Sequence, residues 1–183
     1  MKLDEKTISS ETIYTGSILT LERDQVELPN GNTAYREVVR HSGGVCVLAL
    51  NADDHILLVR QFRYPYAKVL DELPAGKLDK DEDPADCGRR ELREETGYIA
   101  GTFRPLGEIY PSPGYAHEIL YLFVATDLTM TRQNLDADEF LTVHTLPFAD
   151  ALAQCMNGKI VDAKTVLAIL KYNELRRAFD SSL

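Results

Sequence analysis

Residues 76–98, GKLDKDEDPADCGRRELREETGY, constrain this chain more than any other stretch. Asp83-Pro84 marks a helix start, because proline suits the first turn and an acidic side chain caps the free amides there. Gly97 is the matching stop, since glycine tolerates the left-handed conformation that often ends helices. Between these ends, residues three and four apart share a face. Glu91, Glu94 and Glu95 then project into one arc, and Ala85, Gly88, Leu92 and Thr96 into a smaller, more apolar one. Carboxylates crowded together repel one another unless a cation sits among them. Arg90 and Arg93 partly fill that role, and hard divalent ions such as Mg²⁺ take oxygen ligands of this kind. Read alone, the cluster is either a metal-capable acidic helix or a solvated helix with ordinary salt links.

A chain of 183 residues suffices for one domain with a substantial core and a small appendage. Its net charge of −9 argues against nucleic acid or an anionic membrane as a partner. A polyanionic substrate would therefore need metal ions and a local basic pocket. No apolar run reaches the length of a membrane span, and the start MKLDEKTISSET lacks a hydrophobic signal core, so cytoplasmic residence is expected. Cys46, Cys87 and Cys155 lack CxxC spacing and read as reduced thiols. None of His41, His55, His117 and His144 pairs with another at ligand spacing.

Residues 11–40 read as an antiparallel meander with a hairpin turn at Pro29-Asn30-Gly31. So small a sheet is marginal alone and should pack on the main domain or on a second subunit. Residues 45–50 read as a buried strand, followed by strands over 56–59, 103–109, 119–125 and 140–145. Two helices are expected at 147–156 and 163–179, the second with a core-facing stripe of Val166, Leu167, Leu170 and Leu175. Strands mixed with flanking helices suggest a layered α/β (α+β) domain.

The positions Gly76, Glu82, Arg90, Glu91, Leu92, Glu94, Glu95, Gly97 and Tyr98 resemble the Nudix box without a departure. The resemblance implies an α/β/α sandwich with a mixed sheet and divalent-metal-dependent attack of water on a diphosphate. Pro113, sixteen residues beyond Gly97, and the block VRQFRYPYAKVLDELPAGKLD resemble the ADP-ribose pyrophosphatase group. That group's architecture implies a small antiparallel β dimerisation domain over residues 1–42, a Nudix domain over 43–183, and a homodimer.

The same resemblance assigns residues. Glu91 and Glu95 match the main metal ligands, with the Ala75 carbonyl and loop residue Glu139 completing the set. The implied ion is Mg²⁺, with Mn²⁺ as the alternative. Glu94 matches an extra ligand or part of the acid–base apparatus. Glu82 and Arg90 match a supporting pair rather than catalytic groups. The general base stays open among Glu139, Asp138 and Glu94, because Ala137 stands where some relatives carry glutamate. Arg36 and Arg63 match positions that hold the diphosphate, as planar guanidinium forks can. Glu37 and Glu72 match pocket-edge positions, binding adenine or ordering an arginine. Ser112, Gly114 and Glu118 match a loop lining the terminal ribose, and Ile18 stands where some relatives stack an aromatic on the base.

The expected activity is hydrolysis of ADP-ribose to AMP and ribose 5-phosphate. GDP-mannose or another nucleoside-diphosphate sugar is the rival substrate. A sensor that binds ADP-ribose without cleaving it is the rival of another class, disfavoured by the intact box.

Overall fold

Short turns join the first three strands, β1 (Lys6–Thr15), β2 (Thr20–Glu27) and β3 (Thr33–Arg40). They pair antiparallel, with Thr15 opposite Thr20 and Glu27 opposite Thr33. The second turn closes through Gly31, whose φ of 82° suits glycine, and through the Leu28 N–H donating to the Asn32 carbonyl. The computed structural model describes residues 3–137 and 139–180. Beyond β3 it contains β4 (Gly44–Ala49), β5 (His55–Arg63), β6 (Lys68–Glu72), β7 (Ala75–Lys77), α1 (Pro84–Thr96) and β8 (Tyr98–Ile109). These are followed by β9 (Ala116–His117), β10 (Leu120–Met130), β11 (Leu141–Pro147), α2 (Phe148–Met156) and α3 (Ala163–Asp180).

The chain divides into two units, Met1–Gly43 with Tyr110–Ile119, and Gly44–Ile109 with Leu120–Leu183. The first is a four-stranded sheet in the order β1-β2-β3-β9. β9 runs parallel to β3, and the Val39 N–H donates to the Tyr115 carbonyl. Every residue of β1 is exposed, including Ile8, Ile13 and Tyr14.

In the second unit, β4 is buried along its whole length, and its period-two alternation sends side chains to opposite faces. Val45, Val47 and Ala49 pack with Cys87 and Leu92 of α1. Cys46, Leu48 and Leu50 pack with Phe148 and Ala151 of α2 and with Ala168 and Ile169 of α3. Helices thus cover both faces, giving the α/β/α sandwich. Its sheet is mixed: in the order β7-β4-β10-β8, β4 and β10 are parallel while the outer pairings are antiparallel. A three-stranded antiparallel sheet, β11-β5-β6, completes the unit. No helix among the described residues is long and apolar enough to cross a membrane.

The structure corrects the sequence reading in two places. β6 and β7 were not expected, because KVLDE and AGK carry too few alternating apolar residues to signal strands; pairing with β5 and β4 makes them so. The face that α3 buries is Thr165, Ala168 and Ile169, whereas Leu167 and Leu175 are exposed. A polar threonine occupies the core side because its hydroxyl has buried partners there.

α1 begins and ends as its sequence dictates. The Asp83 carboxylate accepts the N–H groups of Ala85 (2.8 Å) and Asp86 (3.3 Å), and Gly97 closes the helix at φ 75°. Asp83→Ala is expected to lower stability by about 1 kcal/mol in denaturant titration, while Asp83→Asn retains most of it.

Candidate active site

The acidic arc of α1 is turned inward. Glu91 and Glu95 are 9% and 3% exposed, so two carboxylates lie in the protein rather than in solvent. Each is held from a different direction. Glu95 Oε2 accepts the Ala75 N–H at 2.9 Å, tying the helix to β7. Glu91 Oε1 accepts from Arg90 Nη1 at 2.7 Å. The Glu91 carboxylate lies over Gly76, where an added Cβ would fall 1.9 Å from its Cδ. Glycine at this position is therefore a steric requirement of the buried glutamate.

Arg90 organises the rest of the arc. Its Nε and Nη2 bind the two Glu82 oxygens at 2.9 and 3.0 Å, and Nη1 also reaches Glu94 at 3.1 Å. The Arg90 pair holds the Glu82 carboxyl down at about 2. Glu82 and Arg90 thus form the expected pair bracing the loop on the helix. The helix end is braced as well: the Asn134 N–H donates to the Glu94 carbonyl, and Gln133 Nε2 donates to the Glu95 carbonyl.

Burial pushes the Glu95 carboxyl up to about 8, against the Ala75 N–H and with the added repulsion of Glu91 and Glu139. Burial likewise raises Glu91 against the pull of Arg90, with Glu139 and Glu94 adding to the rise. Glu139 is therefore close enough to act on both carboxylates, and its own Oε2 accepts the Asp136 N–H at 3.2 Å. Asp138 lies outside the described residues. Among the described residues no three acidic, histidine or cysteine side chains form a finished ion cage. The carboxylates nevertheless fit a hard divalent cation, which takes oxygen donors and would relieve the mutual repulsion that raises Glu91 and Glu95.

Beside the helix stands a second charged group. Arg63 clamps Glu72 through two parallel bonds of 2.7 Å, Nε to Oε1 and Nη2 to Oε2. Glu72 is thereby engaged with an arginine on a neighbouring strand. Lys164 Nζ also donates to Glu72 Oε2, and to Asp162 Oδ1 at 2.9 Å. Burial would raise Glu72, but Arg63 and Lys164 outweigh it and hold the carboxyl below its ordinary value. Arg63 lies close enough to Glu95 to pull that carboxyl downward. Lys164 and Asp162 were not singled out in the sequence, because nothing local in DAKT shows that the turn meets residue 72.

The remaining expected residues belong to the first unit. Arg36 and Glu37 lie on β3, and Arg36 is engaged by Glu5 at 2.9 and 2.5 Å. Glu37 is exposed opposite Arg23. The Ser112 carbonyl accepts from the N–H groups of Tyr115 and Ala116, making a turn through Pro113 and Gly114. Glu118 approaches His41 Nδ1 at 3.6 Å. That nitrogen accepts the Gly43 N–H at 3.0 Å, so the imidazole has no proton there to share with Glu118. Ile18 is 57% exposed in the β1–β2 turn.

Residues 40–167 match the NUDIX domain family, and residues 5–39 match the Nucleoside diphosphate sugar hydrolase N-terminal domain. An ADP-ribose pyrophosphatase of Bacillus subtilis is 42% identical, covering 98% of this chain and 97% of that protein. A methanol dehydrogenase activator of Bacillus methanolicus is 44% identical over 96% and 95% of the two chains. A GDP-mannose pyrophosphatase of Escherichia coli is 39% identical over 79% and 80%. A solved structure described as an ADP compounds hydrolase, 23% identical, shares the fold over 97% of both chains with a TM-score of 0.85.

The raised Glu95 value has a stability consequence in the metal-free protein. A carboxyl whose folded value exceeds its unfolded value contributes stability present in acid and lost as pH rises from its ordinary value of 4.5 through about 8. Glu95→Gln should therefore raise the thermal midpoint at about pH 9 and change it little at about pH 5. An equal change at both values would exclude Glu95 titration as its origin.

Proposed function

The chain belongs to the Nudix family, and from that premise we propose that it hydrolyses ADP-ribose to AMP and ribose 5-phosphate with Mg²⁺. Mn²⁺ is the alternative ion. The observation that carries this reading is the convergence of buried Glu91 and Glu95 with Ala75, within electrostatic reach of Glu139 and Arg63. Glu91, Glu95, Glu139 and the Ala75 carbonyl would hold the ion. When bound, it supplies charge neutralisation at the diphosphate and acidification of a coordinated water.

The chain's own groups do the rest. Arg63, with two of its nitrogens fixed on Glu72, presents Nη1 to a phosphate oxygen, and Arg36 would release Glu5 to do the same. Water forms the new P–O bond while the bond to the bridging oxygen breaks. Attack on either phosphorus gives the same two products. Glu139 accepts the proton of the attacking water, with Glu94 as the alternative base. Ser112, Gly114 and Glu118 line the ribose, Glu37 borders the adenine, and Ile18 packs on it.

Two broader expectations belong with this reading. Residues 1–42 pair with a second copy to make a homodimer, supported by a β1 strand exposed on every residue. The protein works in the cytoplasm, in keeping with three free cysteines. GDP-mannose is the second substrate reading, favoured by the GDP-mannose pyrophosphatase relative and by an aliphatic Ile18 that is not selective for one base.

Chromatography after incubation with ADP-ribose and Mg²⁺ should show AMP and ribose 5-phosphate, and a chelator should abolish both. Cleavage of GDP-mannose alone would replace the substrate assignment. Glu95→Gln should reduce kcat at least about 100-fold with little change in circular dichroism. Undiminished turnover in that variant would remove Glu95 from the ion site.

A further inference from the structure

The segment from Glu72 to Ala75 is fixed at every step. The Glu72 carboxylate takes Arg63 on one side and Lys164 on the other. The Leu73 N–H donates to Thr165 Oγ1 at 2.9 Å. The Pro74 carbonyl accepts the Val47 N–H at 2.9 Å. The Ala75 N–H donates to Glu95 at 2.9 Å. Two of these partners, Lys164 and Thr165, come from one turn of chain at the start of α3, 92 residues away in sequence.

That turn is itself a closed circuit. Asp162 Oδ2 accepts the Thr165 N–H at 3.0 Å and the Thr165 hydroxyl at 2.6 Å. Asp162 Oδ1 accepts from Lys164 Nζ at 2.9 Å. Thr165 is fully buried, so its hydroxyl has a fixed job: it accepts from Leu73 and donates to Asp162. The Lys164 side chain is 12% exposed. A buried lysine shared between two carboxylates is costly to assemble and poorly replaced by water.

We infer that Asp162, Lys164 and Thr165 are positioning residues for diphosphate cleavage: the start of α3 sets both the Ala75 backbone, whose N–H holds Glu95, and the Arg63 guanidinium held by Glu72. This rests on the function proposed above. Thr165 acts through Leu73, two residues from Ala75, with Pro74 between them restricting the backbone. Lys164 acts through Glu72. By holding that carboxylate in place from the other side, it keeps the Arg63 fork oriented. The two halves of the device therefore have separate signatures. Thr165 governs the ion site, and Lys164 governs the grip on the diphosphate.

The test uses the full chain. Mn²⁺ binding to the protein alone, followed by electron paramagnetic resonance, and steady-state kinetics on ADP-ribose are compared for Thr165→Val, Thr165→Ser, Lys164→Met and Lys164→Arg. Thr165→Val should weaken Mn²⁺ binding and lower kcat by about 10-fold or more, with KM little changed, and Thr165→Ser should restore both. Lys164→Met should raise KM by about 10-fold with a smaller effect on kcat, and Lys164→Arg should recover most of it. Folded Thr165→Val and Lys164→Met proteins with wild-type Mn²⁺ affinity and kinetics would overturn the inference. If Thr165→Val does not fold, the Lys164→Met and Lys164→Arg pair decides, and equal KM values for these two and wild type would overturn it. If the wild-type protein leaves ADP-ribose intact, the substrate reading fails by itself, and the Mn²⁺ affinity of Thr165→Val still decides the positioning role.

Discussion

Two carboxylates buried on one face of α1 are the constraint around which the second unit is arranged. Glu91 and Glu95 cannot sit in the protein without compensation, because desolvation of neighbouring acids is unfavourable and each repels the other. The fold answers with a cation at one carboxylate, Arg90, and a backbone amide at the other, from Ala75. It also removes a side chain at Gly76 to make room. A divalent ion among these carboxylates would add to that compensation. Burial and the neighbouring acids Glu91 and Glu139 raise the Glu95 carboxyl in spite of the Ala75 amide.

Around this centre the charged residues divide into two groups with different tasks. Arg90 links Glu82, Glu91 and Glu94, so it stiffens the loop and helix that carry the acids. Arg63 and Lys164 instead share Glu72, which is almost completely buried and has no access to bulk water. With Asp162 also bound to Lys164, two carboxylates balance two cations, and the group acts by holding the Arg63 fork in a fixed orientation.

The first unit follows a different logic. Its sheet contributes Val26 and Asp24 to the buried residues, while the whole of β1 stays exposed. The 110–119 segment joins this unit by pairing Val39 with Ala116 and Arg40 with His117, so the Ser112 turn is anchored to the strand that bears Arg36 and Glu37. Residues far apart in sequence are thereby placed on one strand pair.

The sequence alone determined the helix, its caps and its chemistry. Asp83, Pro84 and Gly97 act through their own backbone, and the spacing of Glu91, Glu94 and Glu95 on one arc follows from helical geometry. The buried β4 strand and the meander with its Gly31 turn were legible for the same reason: alternation and turn chemistry are local. Only the tertiary structure decided that the acidic arc faces inward, that KVLDE and AGK become strands, and that α3 buries Thr165 rather than Leu167. It also decided which arginines are held where, setting Arg63 on Glu72 and Arg36 on Glu5. Those outcomes depend on partners distant in the chain, such as Lys164 for Glu72 and Leu73 for Thr165. A short sequence pattern carries the propensity of its own residues but no record of which distant group will satisfy a buried charge or hydroxyl.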